Sequence, residues 1–281
     1  MEQAVKTAGS EKRRDQFLAV FLNHLKTCHI DTKEKLLVIG GSRQDAELLL
    51  CAGFRDITLS NFSPELEERP HINSGVKLKL LAIDAEQIGL PDGSFDSVFA
   101  HEVLHHCRSP HRALCEMLRV ARKHVVLLEP NDSFLMRVLT RTGFSFPYEI
   151  FAVVYHDHEA GGVRDSCIPN FIYRWNAREI RKTVSSFLAE YMFLVRAYPY
   201  WEFNVDEKEL SLRKETRIDA ITSIIGGKNF LSVLRVMQIA LNAIPVLRRQ
   251  GNKFFCCIEK TAKLRPWLTS KDGRVEFNAG F

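Results

Sequence analysis

The hexapeptide "HEVLHH", His101–His106, carries the most overt chemistry in the chain. Read alone it is H-E-x-x-H, in which two histidines one helical turn apart bind zinc and the glutamate acts as base. Counting on, His111 falls where the longer H-E-x-x-H-x-x-G-x-x-H pattern supplies a third ligand. The flanking residues oppose this reading. Both histidines must sit inside one continuous helix, yet "SFDSVFA" runs directly into His101 and puts it at a strand end. The turn-making glycine position holds Arg108, and Pro110 lies just before His111. A zinc hydrolase through His101, Glu102 and His105 is kept as an alternative whose context fails, and no metal is expected.

The elements that must position these residues follow from hydrophobic periodicity. Residues 13–28 read as an amphipathic helix, with Phe17, Phe21 and Leu25 spaced i, i+4. "KLLVIGGS" is a short apolar strand ending in two glycines, and "RQDAELLLCAGF" is a helix that stops at Gly53. "DITLSN", "VKLKLLAID" (76–84), "SFDSVFA" (94–100) and "HVVLLEP" (124–130) are further strands, the third of these reached through the turn "PDGS". Between the last two, "SPHRALCEMLRVAR" is helical, with Ser109 as N-cap and Pro110 at the first helical position. Short, nearly all-apolar strands alternating with helices indicate parallel strands buried on both faces. The expected fold class is α/β: a Rossmann-like, doubly wound, mostly parallel sheet. Ligands bind such sheets beyond the carboxyl ends of the strands. Five groups fall at those ends: Gly40–Ser42, Asn61, Asp84–Ala85, His101–His106 and Glu129–Asp132.

The stretch "AIDAEQIGLPDGSFDSVFAHEVLHHCRSPHRALCEMLRVARKHVVLLEP" resembles the class I S-adenosylmethionine-dependent methyltransferases, in their small-molecule branch. That branch shows an acidic residue after the third strand, then Leu-Pro, an acidic turn and Ser-Phe-Asp. Leu-His-His follows the fourth strand, then a helix ending Arg-Val and a fifth strand ending Glu-Pro. The resemblance covers residues 30–132 and, more loosely, "GNKFFCCIEK". It implies S-adenosylmethionine as cofactor. Asp84 would accept a hydrogen bond from the adenine amino group, and the Ala85 N–H would reach the ring. His101 and Glu102 would line the methionine end, with Leu104 and His105 where the activated methyl faces its acceptor. By analogy the final strand would be antiparallel and close the sheet edge.

The cofactor contacts depart from the family in two places. Its usual run is Asp-x-Gly-x-Gly-x-Gly, whose glycines let the backbone approach the cofactor. Here "VIGGSRQ" keeps Gly40, puts Gly41 at the intervening position, Ser42 at the second glycine and Gln44 at the third, and Val38 replaces the acid. Asn61 stands where an acidic residue grips both ribose hydroxyls. An amide still accepts from one hydroxyl and donates to the other. The missing charge costs about 1–2 kcal/mol. Val38, Gln44 and Asn61 also motivate the alternative of a methyltransferase-fold protein that binds a ligand or partner without transferring methyl.

For the acceptor, Glu129 and Asn131 at the fifth strand's end join an aromatic, glycine-rich segment, residues 141–175. That segment offers Tyr155, His156, Tyr173 and Arg174 to a polar substrate. His105, His106 and His156 are the candidate bases, because an unactivated hydroxyl needs one. "YHDH" contains competent metal ligands, but alternate residues share a face only on a strand.

Composition restricts partners and compartment. The 46% hydrophobic and 26% charged residues describe a globular chain with a real core. The net charge of +5 is scattered, so no nucleic-acid arm is expected. Seven cysteines without a C-x-x-C pair read as reduced thiols, and Cys256 and Cys257 should face opposite sides of a strand. No apolar leader is visible, and "FLSVLRVMQIALNAIPVL" (230–247) is too interrupted by polar residues to span a bilayer. A cytoplasmic location is therefore expected. The expected layout is an N-terminal helix (1–30), a cofactor-binding core (31–140), an inserted lid (141–175), C-terminal strands with a helical cap (176–262) and a loose tail (263–281). Residues 207–249 read as two helices covering the pocket, their apolar faces taken as core. The function expected is methyl transfer to a small-molecule, sugar or lipid-like acceptor, with oxygen as the receiving atom.

Overall fold

The computed structural model describes residues 20–62, 75–203, 205–213 and 216–281. Phe17 lies outside them. Residues 20–27 are helical (α1) and bury Phe21 and Leu25 as their spacing predicts. Strand β1 (Lys35–Ile39), helix α2 (Arg43–Cys51), β2 (Asp56–Asn61), β3 (Lys77–Ala82), β4 (Phe95–His101), α3 (Pro110–Val120) and β5 (Ala121–Pro130) follow in the expected alternation. After an insertion come α6 (Ala177–Phe187), β6 (Tyr191–Tyr200) and β7 (Lys253–Leu264). The strands form one seven-stranded sheet in the order β3-β2-β1-β4-β5-β7-β6. Pairing is parallel from β3 through β5, and β7 runs antiparallel to both of its neighbours. The antiparallel closing strand is thus present, but it lies inside β6 rather than at the sheet edge.

Alternation along each strand builds two cores. Leu37 and Ile39 of β1, Val125 and Leu127 of β5, and Phe254, Cys256 and Ile258 of β7 face α3 and α6. Their neighbours Leu36, Val38, Val126, Leu128, Phe255 and Cys257 face α1 and α2. Burying each such aliphatic side chain is worth about 1.5–3 kcal/mol relative to exposure. Cys256 and Cys257 do point to opposite faces. The strand order reverses between β1 and β4, which makes the carboxyl ends of those strands the binding crevice.

The insertion holds α4 (Phe134–Arg141), α5 (Ile150–Tyr155) and a 3-10 turn at Val163–Asp165. The late segment differs from expectation. Among the described residues it holds α7 (Glu207–Leu212), α8 (Arg217–Ile225), α9 (Gly227–Ala243) and α10 (Pro245–Arg248), four helices instead of two; Gly226, at φ +83°, separates α8 from α9, and Pro245 starts α10. Their apolar faces are not core. Leu231 is the buried residue of α9, whereas Val236 and Ile239 are 68% and 71% exposed and Ile224 of α8 is 84% exposed. Among the described residues no single helix is long and apolar enough to cross a membrane; α8 and α9 have that length and composition only together, as a pair bent by 108°. The tail is also more ordered than expected. β7 runs to Leu264, and β8 (Leu268–Lys271) and β9 (Arg274–Phe277) form a hairpin. Its turn residues Asp272 and Gly273 both have positive φ, the requirement that Asp-Gly meets.

Gly251 ties the two halves of the sheet. Its carbonyl accepts from the Asn131 side-chain amide at 2.7 Å, and a Cβ there would lie 2.1 Å from the Tyr200 carbonyl oxygen. Backbone blocks that space, so Gly251→Ala is expected to destabilise the fold by about 1–3 kcal/mol. Denaturant unfolding measures this, and an unchanged midpoint would contradict the packing.

Candidate functional site

The site is organised where β4 ends. Glu102 adopts left-handed backbone, φ +56°, which turns the chain sharply out of the strand. Its N–H donates to the Leu128 carbonyl at 2.9 Å, and its carboxylate pairs with Lys253 at the start of β7. The 3-10 turn Leu104–His106 follows. Beneath it, the wholly buried Glu129 of β5 accepts the Val103 and Leu104 N–H groups on Oε1, at 2.9 and 2.8 Å. Its Oε2 lies 2.8 Å from His105 Nδ1. From the insertion, Glu149 brings Oε2 to 3.4 Å from His105 Nε2 and 3.5 Å from His106 Nε2. Asn170 donates to the same oxygen at 3.0 Å, and the Gly162 carbonyl lies 3.2 Å from His106 Nδ1.

These contacts set the charges. Burial pushes the His105 pKa down, but the charge and hydrogen bond of Glu129, joined by Glu149, carry it up to about 10. Glu149 is raised by burial and then held down to about 2 by the hydrogen bond and charge of His105. His106 is pushed below the ordinary histidine value, by burial first and by the neighbouring His105 charge second. The cluster therefore contains an imidazolium between two carboxylates and one neutral imidazole.

The adjoining strand ends hold the residues predicted for the cofactor. Gly40 has φ +61°, and a Cβ there would lie 2.5 Å from a Val103 methyl, so only glycine lets the two loops pack. Ser42 caps α2: its Oγ accepts the Asp45 N–H while the Asp45 carboxylate accepts the Ser42 N–H at 2.8 Å. Asp45 Oδ1 also meets His101 Nδ1 at 2.8 Å. Asp45 was not among the residues singled out by sequence. The signal was present, since Ser-x-x-Asp before an apolar run marks a cap. Asn61, at the end of β2, accepts the Phe62 N–H. Asp84 takes the Glu86 N–H on Oδ1 at 2.9 Å, with Ala85 buried beside it. Its Oδ2 is held by Arg164 of the insertion at 2.6 Å. The same guanidinium reaches Glu86 at 3.5 Å and lies 5.1 Å from the Phe62 ring centroid. No sequence pattern pointed to Arg164, 80 residues from its partner.

The remaining predicted residues are dispersed. Asn131 spends its amide on Gly251, and Arg174 donates to Ser145 and the Phe146 carbonyl. Tyr173 joins His111 and Glu179 on the α3–α6 side. Tyr155 and His156 lie at the exposed end of α5, where His156 Nδ1 bonds the Ala152 carbonyl. "YHDH" is not a strand: Asp157 and His158 both have positive φ. The H-E-x-x-H residues diverge as well. His101 meets Asp45, Glu102 meets Lys253, His105 meets Glu129, and His111 meets Tyr173 and Thr183. The zincin geometry is absent.

The His101–Asp45 pair has a pH signature. Burial lowers the His101 pKa, but the hydrogen bond and charge of Asp45 raise it above its ordinary value. Burial raises that of Asp45, and His101 and Ser42 bring it below the carboxylate range. The histidine's contribution is full below its unfolded value near 6.5 and fades as pH rises through the raised one. The aspartate's contribution is full above about 3.9 and fades as pH falls through the lowered one. Stability from the pair is therefore greatest between about pH 4 and 6.5. Asp45→Asn is expected to flatten both arms of the unfolding free energy plotted against pH. A profile that keeps its shape would show the pair to be uncoupled from folding.

Comparison with known proteins agrees with this architecture. Residues 38–128 match the family model described as a methyltransferase domain. No curated relative matches the chain. Among solved structures, YcgJ from Bacillus subtilis superposes with a TM-score of 0.50 at 14% identity, covering 87% of this chain and 97% of that one. A SAM-dependent methyltransferase from Archaeoglobus fulgidus gives 0.46 at 14% identity, with 88% and 94% covered. Magnesium protoporphyrin IX methyltransferase from Synechocystis gives 0.44 at 16%, with 64% and 74% covered. Structural likeness at such identities speaks to the fold alone. The family match covers the segment that builds β1 to β5 and their ligand-facing loops, so residues 38–128 are similar to a methyltransferase domain and lie on a fold shared with YcgJ.

Proposed function

We propose that the protein transfers the methyl group of S-adenosylmethionine to a small-molecule, sugar or lipid-like acceptor, with oxygen as the receiving atom. One observation carries the reading. Asp84, Asn61, the Gly40–Ser42 turn and His101 follow the ends of four adjacent strands, β3-β2-β1-β4, and the His105–Glu149 cluster continues the row beneath the insertion. The donor set fits the cofactor: a carboxylate for an adenine amino group, an amide for ribose hydroxyls, and a glycine turn with a helix N-terminus for the amino-acid end. When bound, the sulfonium supplies an electrophilic methyl group.

The chain's own residues do the rest. Asp84 and Ala85 orient the base, Asn61 the ribose, and Gly40, Gly41 and Ser42 admit the backbone contact. His101 and Glu102 bound the methionine end. On the acceptor side Glu129 orients and charges His105, which at a pKa of about 10 donates rather than accepts at neutral pH. Neutral His106 is the group there with a lone pair to offer.

A second reading is favoured by Arg164, whose guanidinium stands on the carboxylate that the adenine needs. With Val38, Gln44 and Asn61, it supports a fold that binds a ligand or partner without transferring methyl. Titrating S-adenosylmethionine and its demethylated product by calorimetry separates the two. The transferase reading expects micromolar binding, weakened about 10- to 100-fold by Asp84→Ala through loss of a charge-assisted hydrogen bond. It expects tighter binding to Arg164→Ala, because Asp84 then gives up no ion pair. Absence of binding to both the unaltered chain and Arg164→Ala at millimolar ligand would remove the transferase reading.

A further inference from the structure

We infer that His105, His106 and Glu149 form a binding site for a divalent first-row transition-metal ion. The assignment departs from the sequence expectation of no metal, and it shares only His105 with the H-E-x-x-H pattern. One ring nitrogen each of His105 and His106 and a Glu149 carboxylate oxygen all lie within 4.8 Å of one another. His105 Nε2 and His106 Nε2 lie 3.4 and 3.5 Å from Glu149 Oε2. Ligand atoms at ordinary zinc bond lengths sit roughly 3.4 Å apart around a tetrahedral centre.

The hydrogen bonds on the far side of each ring fix which nitrogen faces inward. The Gly162 carbonyl can only accept, so His106 Nδ1 carries the proton and Nε2 presents electrons toward Glu149. Carboxylate Glu129 takes the Nδ1 proton of His105, so Nε2 faces Glu149 and an arriving ion would displace its proton. An uncharged imidazole lone pair aimed at a carboxylate oxygen is an arrangement that a cation between them resolves. Each ligand also has an orienting partner, as metal ligands do: Glu129 on His105, Gly162 on His106, and Asn170 on Glu149.

The backbone is built to hold the second of these. A Cβ on Gly162 would lie 2.0 Å from the Ile168 carbonyl oxygen, so the tight 162–168 loop that aims the Gly162 carbonyl at His106 requires glycine. Two imidazoles and one carboxylate suit zinc, iron, cobalt or manganese and supply too few oxygens for calcium or magnesium. The His105 side chain is 1% exposed, whereas those of His106 and Glu149 are 29% and 31% exposed. The open wall leaves coordination positions for water or for the oxygen of an acceptor, whose hydroxyl a bound ion would acidify. In that case the His106 lone pair serves the ion instead of the acceptor proton.

The site stands on geometry and does not depend on methyl transfer, so its test reads metal and not activity. Full-length protein stripped with chelator is titrated with zinc, and separately with cobalt(II) while the visible absorption is followed. One equivalent per chain is expected, with cobalt giving ligand-field bands. Glu149→Gln and His106→Ala should each weaken binding at least about 100-fold, and Asn170→Ala about 10- to 100-fold. Circular dichroism of each variant confirms folding, and the near-isosteric Glu149→Gln serves if His106→Ala does not fold. No stoichiometric ion in the unaltered chain, or an ion retained in full by folded Glu149→Gln, overturns the assignment.

Discussion

One buried carboxylate holds the working end of this molecule together. Glu129 is fully enclosed, and an ion so placed is tolerated only when its oxygens are satisfied. It meets that demand by accepting two consecutive backbone N–H groups and one imidazole, all from the loop after β4. The loop cannot relax without stranding a charge in the core. Its position then determines two further things. Val103, pinned through its N–H, lays its methyls over Gly40 and so defines the space above the glycine turn. His105, pinned through its ring, is delivered to Glu149. The space above the glycine turn and the His105–Glu149 cluster are thus referenced to the same carboxylate.

The insertion reaches both the β4 loop and the end of β3 through a short loop. The Gly162 carbonyl bonds His106, and two residues on Arg164 bonds Asp84. Arg164 and Asp165 both have positive φ, a conformation costing non-glycine residues about 1–3 kcal/mol each unless the surroundings enforce it. Here the surroundings are the ion pairs to Asp84 and Glu86 and the hydrogen bonds that close the loop on Ser166 and Ile168. Moving the guanidinium away from Asp84 and moving the carbonyl away from His106 are therefore mechanically related.

Legibility in the sequence followed the range of the interactions. The strands and helices through β5 were readable because each is set by local periodicity and by punctuation such as "PDGS" and Ser109-Pro110. The strand ends then identified Gly40, Asn61, Asp84, His101 and Glu129 without further information. Arg164 and Glu149 were not legible as partners of Asp84 and His105, since an irregular insertion has no period from which to compute where it lands. Nor did the sequence show that the polar atoms of Asn131 and Tyr173, expected at the acceptor, bond within the fold. Two misreadings had local remedies. Gly226 and Pro245 are ordinary helix breaks, and Asp272-Gly273 is a strong hairpin signal. The outward apolar faces of α8 and α9 had none, because periodicity locates a stripe but not what covers it.

The position of β7 has a consequence for how the chain acquires its structure. β6 is made before β7 yet lies outside it, so β6 has no edge to join until residues 253–264 exist and have docked on β5. The pairing of His124 with Glu259 closes a long stretch of chain at once, and contacts of such sequence separation slow folding. Lys253, the partner of Glu102, arrives with that same strand. During synthesis the five parallel strands can assemble first, while the crevice reaches its final form only in the last folding step.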